Sequence, residues 1–160
     1  NLTLTRKGNT LLLFQYVEKH GRILYDMINE AAEDGRQIFF IYGGVDADTR
    51  ESVRAITEKE SDAIIVASYG TFSTGINIRN LHNIIFASPS KSRVRNLQSI
   101  GRGLRKGDDK DIATLYDISD DFSHKSYNNH TLKHFAVRVK MYNEENFDYK
   151  IYNIGIEDGK

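Results

Sequence analysis

The 160-residue sequence contains no cysteine. That excludes a disulfide framework and a thiolate metal site, and it fits a reducing compartment. Proline occurs once, at Pro89, so proline interrupts the chain at a single point. No apolar run approaches the roughly 20 residues of a membrane-spanning helix, and no membrane partner is expected. There is no net charge, with 22 basic residues against 22 acidic ones, so any attraction for nucleic acid must be local. No GxxxxGK[ST] string occurs, and the chain has no phosphate-cradling loop of its own. The dinucleotide fingerprint is missing too, because Gly101-x-Gly103 is followed by Lys106 where a third glycine is needed. His130 and His134 stand four apart, but no glutamate follows His130 and no third ligand is evident, so no metal site is expected. The chain begins at Asn1 without a signal-peptide pattern and is expected to be a piece of a longer protein.

What is present is a well-patterned single domain. Nine Tyr and eight Phe argue against disorder. Short continuous apolar runs predict strands at Thr10–Tyr16, Gln37–Tyr42, Asp62–Tyr69, His82–Ser88 and Asp111–Ile118. Runs of that kind suit strands covered on both faces. Helical periodicity lies between them. Gly21–Glu33 would bury Ile23, Leu24, Met27, Ile28 and Ala31 and end at Gly35. A helix to Lys59 would be capped by Asp46 or Asp48, with Asp48 and Glu51 at capping-box spacing and Val53 and Ile56 as its buried contacts. Ser92–Lys106 would follow Pro89, and Thr131–Glu145 would bury Leu132, Phe135, Ala136, Val139 and Tyr142. Gly70–Leu81 and Asp120–Asn129 read as loops, Phe147–Ile154 as an edge-type strand, and Gly155–Lys160 as a tail. The alternation predicts an α/β fold, a mostly parallel sheet with helices on both faces.

Three stretches carry candidate chemistry. From Ala63 through Gly107 there is no Asp or Glu, while Arg79, Lys91, Arg93, Arg95, Arg102, Arg105 and Lys106 are present. Within that block Gln98, Arg102 and Arg105 are spaced i, i+4, i+7 and share one helix face, beside an apolar face of Val94, Leu97, Gly101 and Leu104. Guanidinium forks one turn apart match phosphate oxygens, although charged helix faces are commonly only solvated. Gly101 and Gly103 each cost a helix about 1 kcal/mol relative to Ala, which suggests a close approach to its backbone. Secondly, Ala67–Asn77 places hydroxyl side chains, among them Ser68, Thr71 and Thr74, directly after a strand, where ligands of parallel sheets gather. Thirdly, Gly43-Gly44 lets backbone approach a ligand, or is only a turn.

In this order the segments resemble the second RecA-like domain of superfamily 2 helicases. Leu11–Tyr16 resembles motif IV, Tyr42-Gly43-Gly44 motif IVa, Ala67–Ile78 motif V, and Gln98-x-x-Gly101-Arg102-x-x-Arg105 motif VI. The resemblance implies a P-loop NTPase fold lacking its own P-loop, over 1–160, that closes over ATP and Mg²⁺ held mainly by an N-terminal RecA-like domain of the same chain. It implies arginine fingers at Arg102 and Arg105, an orienting role for Gln98, and nucleotide contacts from Gly75 and Asn77. Many members have Asp where this sequence has Asn77; an amide still bonds a ribose hydroxyl but adds no charge. Gly43, Gly44, Ser68, Thr71 and Thr74 would touch the phosphates of the tracking strand. The full string, through Asp120-Asp121-Phe122, is similar to phage recombination and repair helicases, which implies DNA, single-stranded and branched, and the cytoplasm of an infected bacterium. The isolated domain is then expected to be inactive as an ATPase.

Two other readings remain at this point. One is a non-enzymatic nucleic-acid-binding module, which needs Lys and Arg but no particular Gln98/Arg102/Arg105 face. The other is a doubly wound nucleotide-binding domain of a different type, against which the missing fingerprint and P-loop speak.

Overall fold

The structure, a computed structural model, is described for residues 2–75, 78–88, 92, 113–121 and 129–155, with side chains 73–75 left aside. The predicted helix Ser92–Lys106 lies outside the described residues except for Ser92, as does 156–160 of the tail.

Five parallel strands form one sheet in the order β2-β3-β1-β4-β5. They are β1 (Thr10–Phe14), β2 (Ile38–Ile41), β3 (Ile64–Ser68), β4 (Asn83–Phe86) and β5 (Thr114–Asp117). β2, β3 and β4 are one or two residues shorter at each end than the apolar pattern suggests, β1 starts at Thr10 as expected but ends two residues early, and β5 ends one residue early. The strands richest in Leu, Ile and Val take the middle, where both faces are covered: every residue of β1, β3 and β4 is buried. Because side chains alternate along a strand, the sheet sorts them into two cores. Leu11, Leu13, Ile65, Ala67, Ile84 and Phe86 face α3 (Ala47–Thr57), α4 (Tyr69–Gly75) and α5 (His130–Glu144). Leu12, Phe14, Ile64, Val66 and Ile85 face α1 (Leu2–Thr5) and α2 (Arg22–Ala31). The expectation of a mostly parallel, two-sided sheet holds.

Several local expectations do not. The helix predicted from Gly21 begins with a π-helical turn, Val17–Gly21, closed by a hydrogen bond from the Gly21 N–H to the Tyr16 carbonyl at 2.9 Å. The cause is contact with the sheet: a Cβ on Gly21 would stand 2.4 Å from the Phe14 ring. That approach sets the phase of α2, so Leu24, Tyr25 and Ile28 turn inward while Ile23 and Met27 are more than half exposed and Ala31 is exposed. α2 also stops at Ala31, and Gly35, at φ +92°, serves the turn beyond it. Replacing Gly21 by Ala tests this packing. A solvent-facing Gly→Ala change in a helix gains about 1 kcal/mol. Here overpacking against a fully buried ring, itself stacked on Phe40 at 5.6 Å, is expected to win and leave a net loss of about 1–3 kcal/mol in urea unfolding.

Asp46, not Asp48, caps α3. Its carboxylate accepts from the Thr49 N–H at 2.8 Å and the Thr49 hydroxyl at 2.7 Å, and the backbone bond first of all holds its pKa below the usual value. Asp48 is already inside the helix and Glu51 pairs with Arg54, so no capping box forms there. Ile56 is exposed; Thr57 is buried in its place, its hydroxyl donating to the Val53 carbonyl at 2.8 Å. Gly70–Leu81 is not simply a loop, because α4 occupies its first part. Phe147–Ile154 pairs with neither sheet edge and is largely exposed.

On α5 the buried residues are Arg138, Met141 and Tyr142, while Leu132 and Ala136 are exposed. A charged residue holds the inner face because it has a partner. Arg138 donates from Nε to Asp117 Oδ2 at 2.7 Å and from Nη2 to Asp117 Oδ1 at 2.8 Å, and the Tyr142 hydroxyl donates to Asp117 Oδ2 at 2.7 Å.

Candidate functional site

A parallel sheet brings all its carboxyl ends to one edge, and the candidate polynucleotide residues lie along it. β2 pairs with β3, Ile41 opposite Ala67, so the turn after β2 and the β3–α4 junction are neighbours. The turn runs Tyr42–Val45, closed by the Val45 N–H on the Tyr42 carbonyl at 3.0 Å. Neither central glycine has a positive φ. Gly44 is glycine for space, since a Cβ would meet the Tyr42 ring at 2.6 Å. Gly43 has nothing within 4 Å of where a Cβ would stand, and its backbone is open to a ligand.

Across the junction, Ser68 and Thr71 turn to each other. Their hydroxyls are 2.8 Å apart, and the Thr71 N–H donates to Ser68 Oγ at 3.4 Å. Both side chains are buried, more inward than a freely exposed phosphate grip would be. The mutual bond uses one of two hydroxyl hydrogens and leaves the other to donate elsewhere. Between them Gly70 is exposed, with open space where a Cβ would be. Gly43 and Gly70 thus both have open space on the side where a Cβ would stand, on adjacent segments of this edge. Gly70 was legible only as one member of a small-residue loop. Thr74 and Gly75 belong to the last turn of α4. Asn77, Gln98, Arg102 and Arg105 lie outside the described residues.

Elsewhere on this edge, His20 follows β1 and Asp120 follows β5. Partial burial lowers the His20 pKa, and the Asp120 charge opposes the shift. Among the described residues no three His, Cys, Asp or Glu come together to hold a metal. Asp117, the carboxylate that ends β5, is committed to Arg138 and Tyr142. The described residues do not fit a magnesium site of their own. No helix among the described residues is long and apolar enough to cross a membrane.

A five-stranded parallel sheet with helices on both faces and its open backbone at the carboxyl edge is the RecA-like arrangement of helicase C-terminal domains. Residues 1–107 match the helicase conserved C-terminal domain, and the chain belongs to that family. It is similar to the ATP-dependent DNA helicase UvsW of Enterobacteria phage T4, with 36% identity over 158 residues, covering 92% of this chain and 31% of UvsW. The crystal structure of T4 UvsW superimposes with a TM-score of 0.73 at 35% identity, over 93% of this chain and 32% of that one. Domain 2 of the DEAD-box helicase Mss116p, bound to an RNA duplex, shares the fold at 17% identity and a TM-score of 0.58, over 69% of this chain and 42% of that one. The chain spans about a third of the length of UvsW.

Proposed function

We propose that residues 1–160 are the second RecA-like domain of an ATP-dependent DNA helicase or translocase that acts on branched DNA in recombination, replication and repair. The observation that carries this reading is the likeness to UvsW, which runs over 92% of the chain and so well past the family segment 1–107. ATP, with Mg²⁺, supplies the phosphoryl transfer that drives such a motor and is held mainly by a first RecA-like domain. Toward it this chain offers Arg102 and Arg105 as guanidinium forks, Gln98 as an orienting amide, and Gly75 with Asn77 beside the ribose and phosphates. Toward the tracking strand it offers the Gly43-Gly44 turn, Ser68, Thr71 and Thr74. Contacts of this kind hold phosphates and read no bases, so binding is expected to be salt-dependent and weakly sequence-specific.

The test compares ATP hydrolysis by the protein that carries this domain downstream of its first RecA-like domain with hydrolysis by residues 1–160 alone. Single-stranded DNA is expected to stimulate the former, and the fragment to stay at the level of a purified blank. Turnover by the fragment would overturn the shared-site reading. Equal stimulation by RNA would overturn the assignment to DNA.

A further inference from the structure

Arg22 opens α2 at the carboxyl edge, and its guanidinium stands over the Phe40 ring, 4.5 Å from the centroid. The local sequence offers it other partners. Glu18 stands four positions before Arg22 and Asp26 four positions after, the spacing at which helical ion pairs form. Yet among the described residues Arg22 makes no ion pair and no side-chain hydrogen bond. The reason is the turn that precedes it. The π-helical turn Val17–Gly21 brings Gly21 against the Phe14 ring, and Phe14 stacks on Phe40 at 5.6 Å. The next residue is thereby carried over Phe40. Tyr25 and Tyr42 close on the same ring at 5.3 and 5.2 Å.

A cation within about 6 Å of a ring centroid is attracted by the quadrupole of the ring. That attraction holds the guanidinium in place and leaves the N–H donors of its fork unused. Arg22 is only partly buried, so the fork is not sealed in the core. The ring contacts also lead to the candidate polynucleotide contact. Tyr42 begins the turn that carries Gly43 and Gly44, and a Cβ on Gly44 would meet its ring at 2.6 Å. Arg22, Phe40, Tyr42 and Gly44 thus form a row of successive contacts at the carboxyl edge. One end of the row is a cation with unused donors. Beside the other end is Gly43, with open space where a Cβ would stand. A planar fork already fixed in position suits phosphate oxygens, which it can meet bidentately.

We propose that Arg22 is a phosphate-binding residue that grips the backbone of the nucleic-acid strand passing the Gly43-Gly44 turn. The proposal rests on the motor reading above, which lays that strand along this edge. The part of Arg22 is ground-state binding, so its loss should weaken the hold on DNA and leave the chemical step alone.

The experiment uses the full protein and a labelled single-stranded thymidine oligonucleotide, titrated at several salt concentrations, with ATP turnover followed at saturating DNA. Arg22→Met and Arg22→Gln both remove the charge, and Met keeps an apolar stem against Phe40. Lys59→Met removes the same charge from an exposed position beyond α3, at the amino edge. Losing one single-strand phosphate contact lowers the slope of log affinity against log salt by about 0.7, which is about fivefold in affinity at about 0.1 M salt. Both Arg22 variants are expected to show that loss, with KM for ATP and kcat at saturating DNA within about twofold of wild type. Lys59→Met is expected to bind as wild type does. If the melting curve shows that one Arg22 variant does not fold, the other decides. Folded Arg22 variants with unchanged affinity and slope would overturn the proposal. So would an equal loss in Lys59→Met, which would make net charge the cause, and so would a loss confined to KM for ATP, which would give the fork to the nucleotide. Wild type that binds no DNA would overturn the reading of this edge as a polynucleotide contact and the role of Arg22 with it, a different result from wild type that binds and Arg22 variants that bind equally well.

Discussion

Replacing Arg102 by Ala in the full protein is expected to lower DNA-stimulated kcat by about 10²-fold or more, against roughly 10³–10⁵ for arginine fingers in related phosphoryl-transfer enzymes. ATP and DNA affinities should change only a few-fold. The separation follows from where the charge is needed. A guanidinium that meets charge growing on a transferred phosphoryl group acts in the transition state, so its removal lowers kcat and kcat/KM together and leaves ground-state binding in place. A guanidinium that only grips the polynucleotide backbone does the opposite. Its loss would weaken DNA binding, flatten the dependence of affinity on salt by nearly one counterion, and leave turnover at saturating DNA untouched. Arg102→Lys adds a second discrimination. Lysine keeps the charge but not the planar fork, so it should recover little turnover at a bidentate site and most of the binding at a simple phosphate contact. Unchanged turnover with weaker DNA binding would replace the motor reading with the binding-module reading.

The two halves of this site were unequally legible in the sequence. The parallel sheet could be read because Leu11-Leu12-Leu13-Phe14 and Ile64-Ile65-Val66-Ala67 are too uniformly apolar for strands with a wet face. The hydroxyls at Ser68 and Thr71 could be read as a polar stretch after a strand, but not that they bond each other, since that depends on α4 starting at Tyr69. The stripe of α2 was read out of phase because nothing local reveals that Gly21 must clear the Phe14 ring. The Asp117–Arg138–Tyr142 bridge was invisible for a general reason. Its members are 21 and 25 positions apart, and an arginine on a helix reads as a solvated residue until its carboxylate is found. What periodicity conveys is which residues are apolar; it does not pair the polar ones.

The amino edge of the sheet depends on one amide in the same way, and Asn9→Ala is expected to cost about 3–5 kcal/mol, a large share of the 5–15 kcal/mol typical of a domain. Asn9 is fully buried. Its Nδ2 lies 2.9 Å from the Thr57 carbonyl, 2.7 Å from that of Glu60 and 2.8 Å from that of Asn80, and its Oδ1 accepts the Ala63 N–H at 2.8 Å. Two amide hydrogens thus serve three carbonyls, tying the end of α3, the turn beyond it and the approach to β4 to the start of β3. Alanine would take this partner from the Ala63 N–H and from the Thr57 and Asn80 carbonyls, while the Glu60 carbonyl keeps the Asn80 amide at 3.1 Å, in a site that loses a side chain's volume as well, and each buried unmet group costs about 1–3 kcal/mol. Asn9→Asp separates hydrogen bonding from shape. It keeps the acceptor for Ala63 but turns a second oxygen toward three carbonyl oxygens. Repulsion and burial would raise its folded pKa above the ordinary carboxylate value of about 3.9, so stability should fall as pH rises from that value through the raised one. Urea unfolding at two pH values reads both effects, with Asn29→Ala on the exposed face of α2 as a control expected to stay within about 0.5 kcal/mol. A loss below about 1 kcal/mol for Asn9→Ala would mean that water replaces the amide and that the amino edge is held by strand pairing alone.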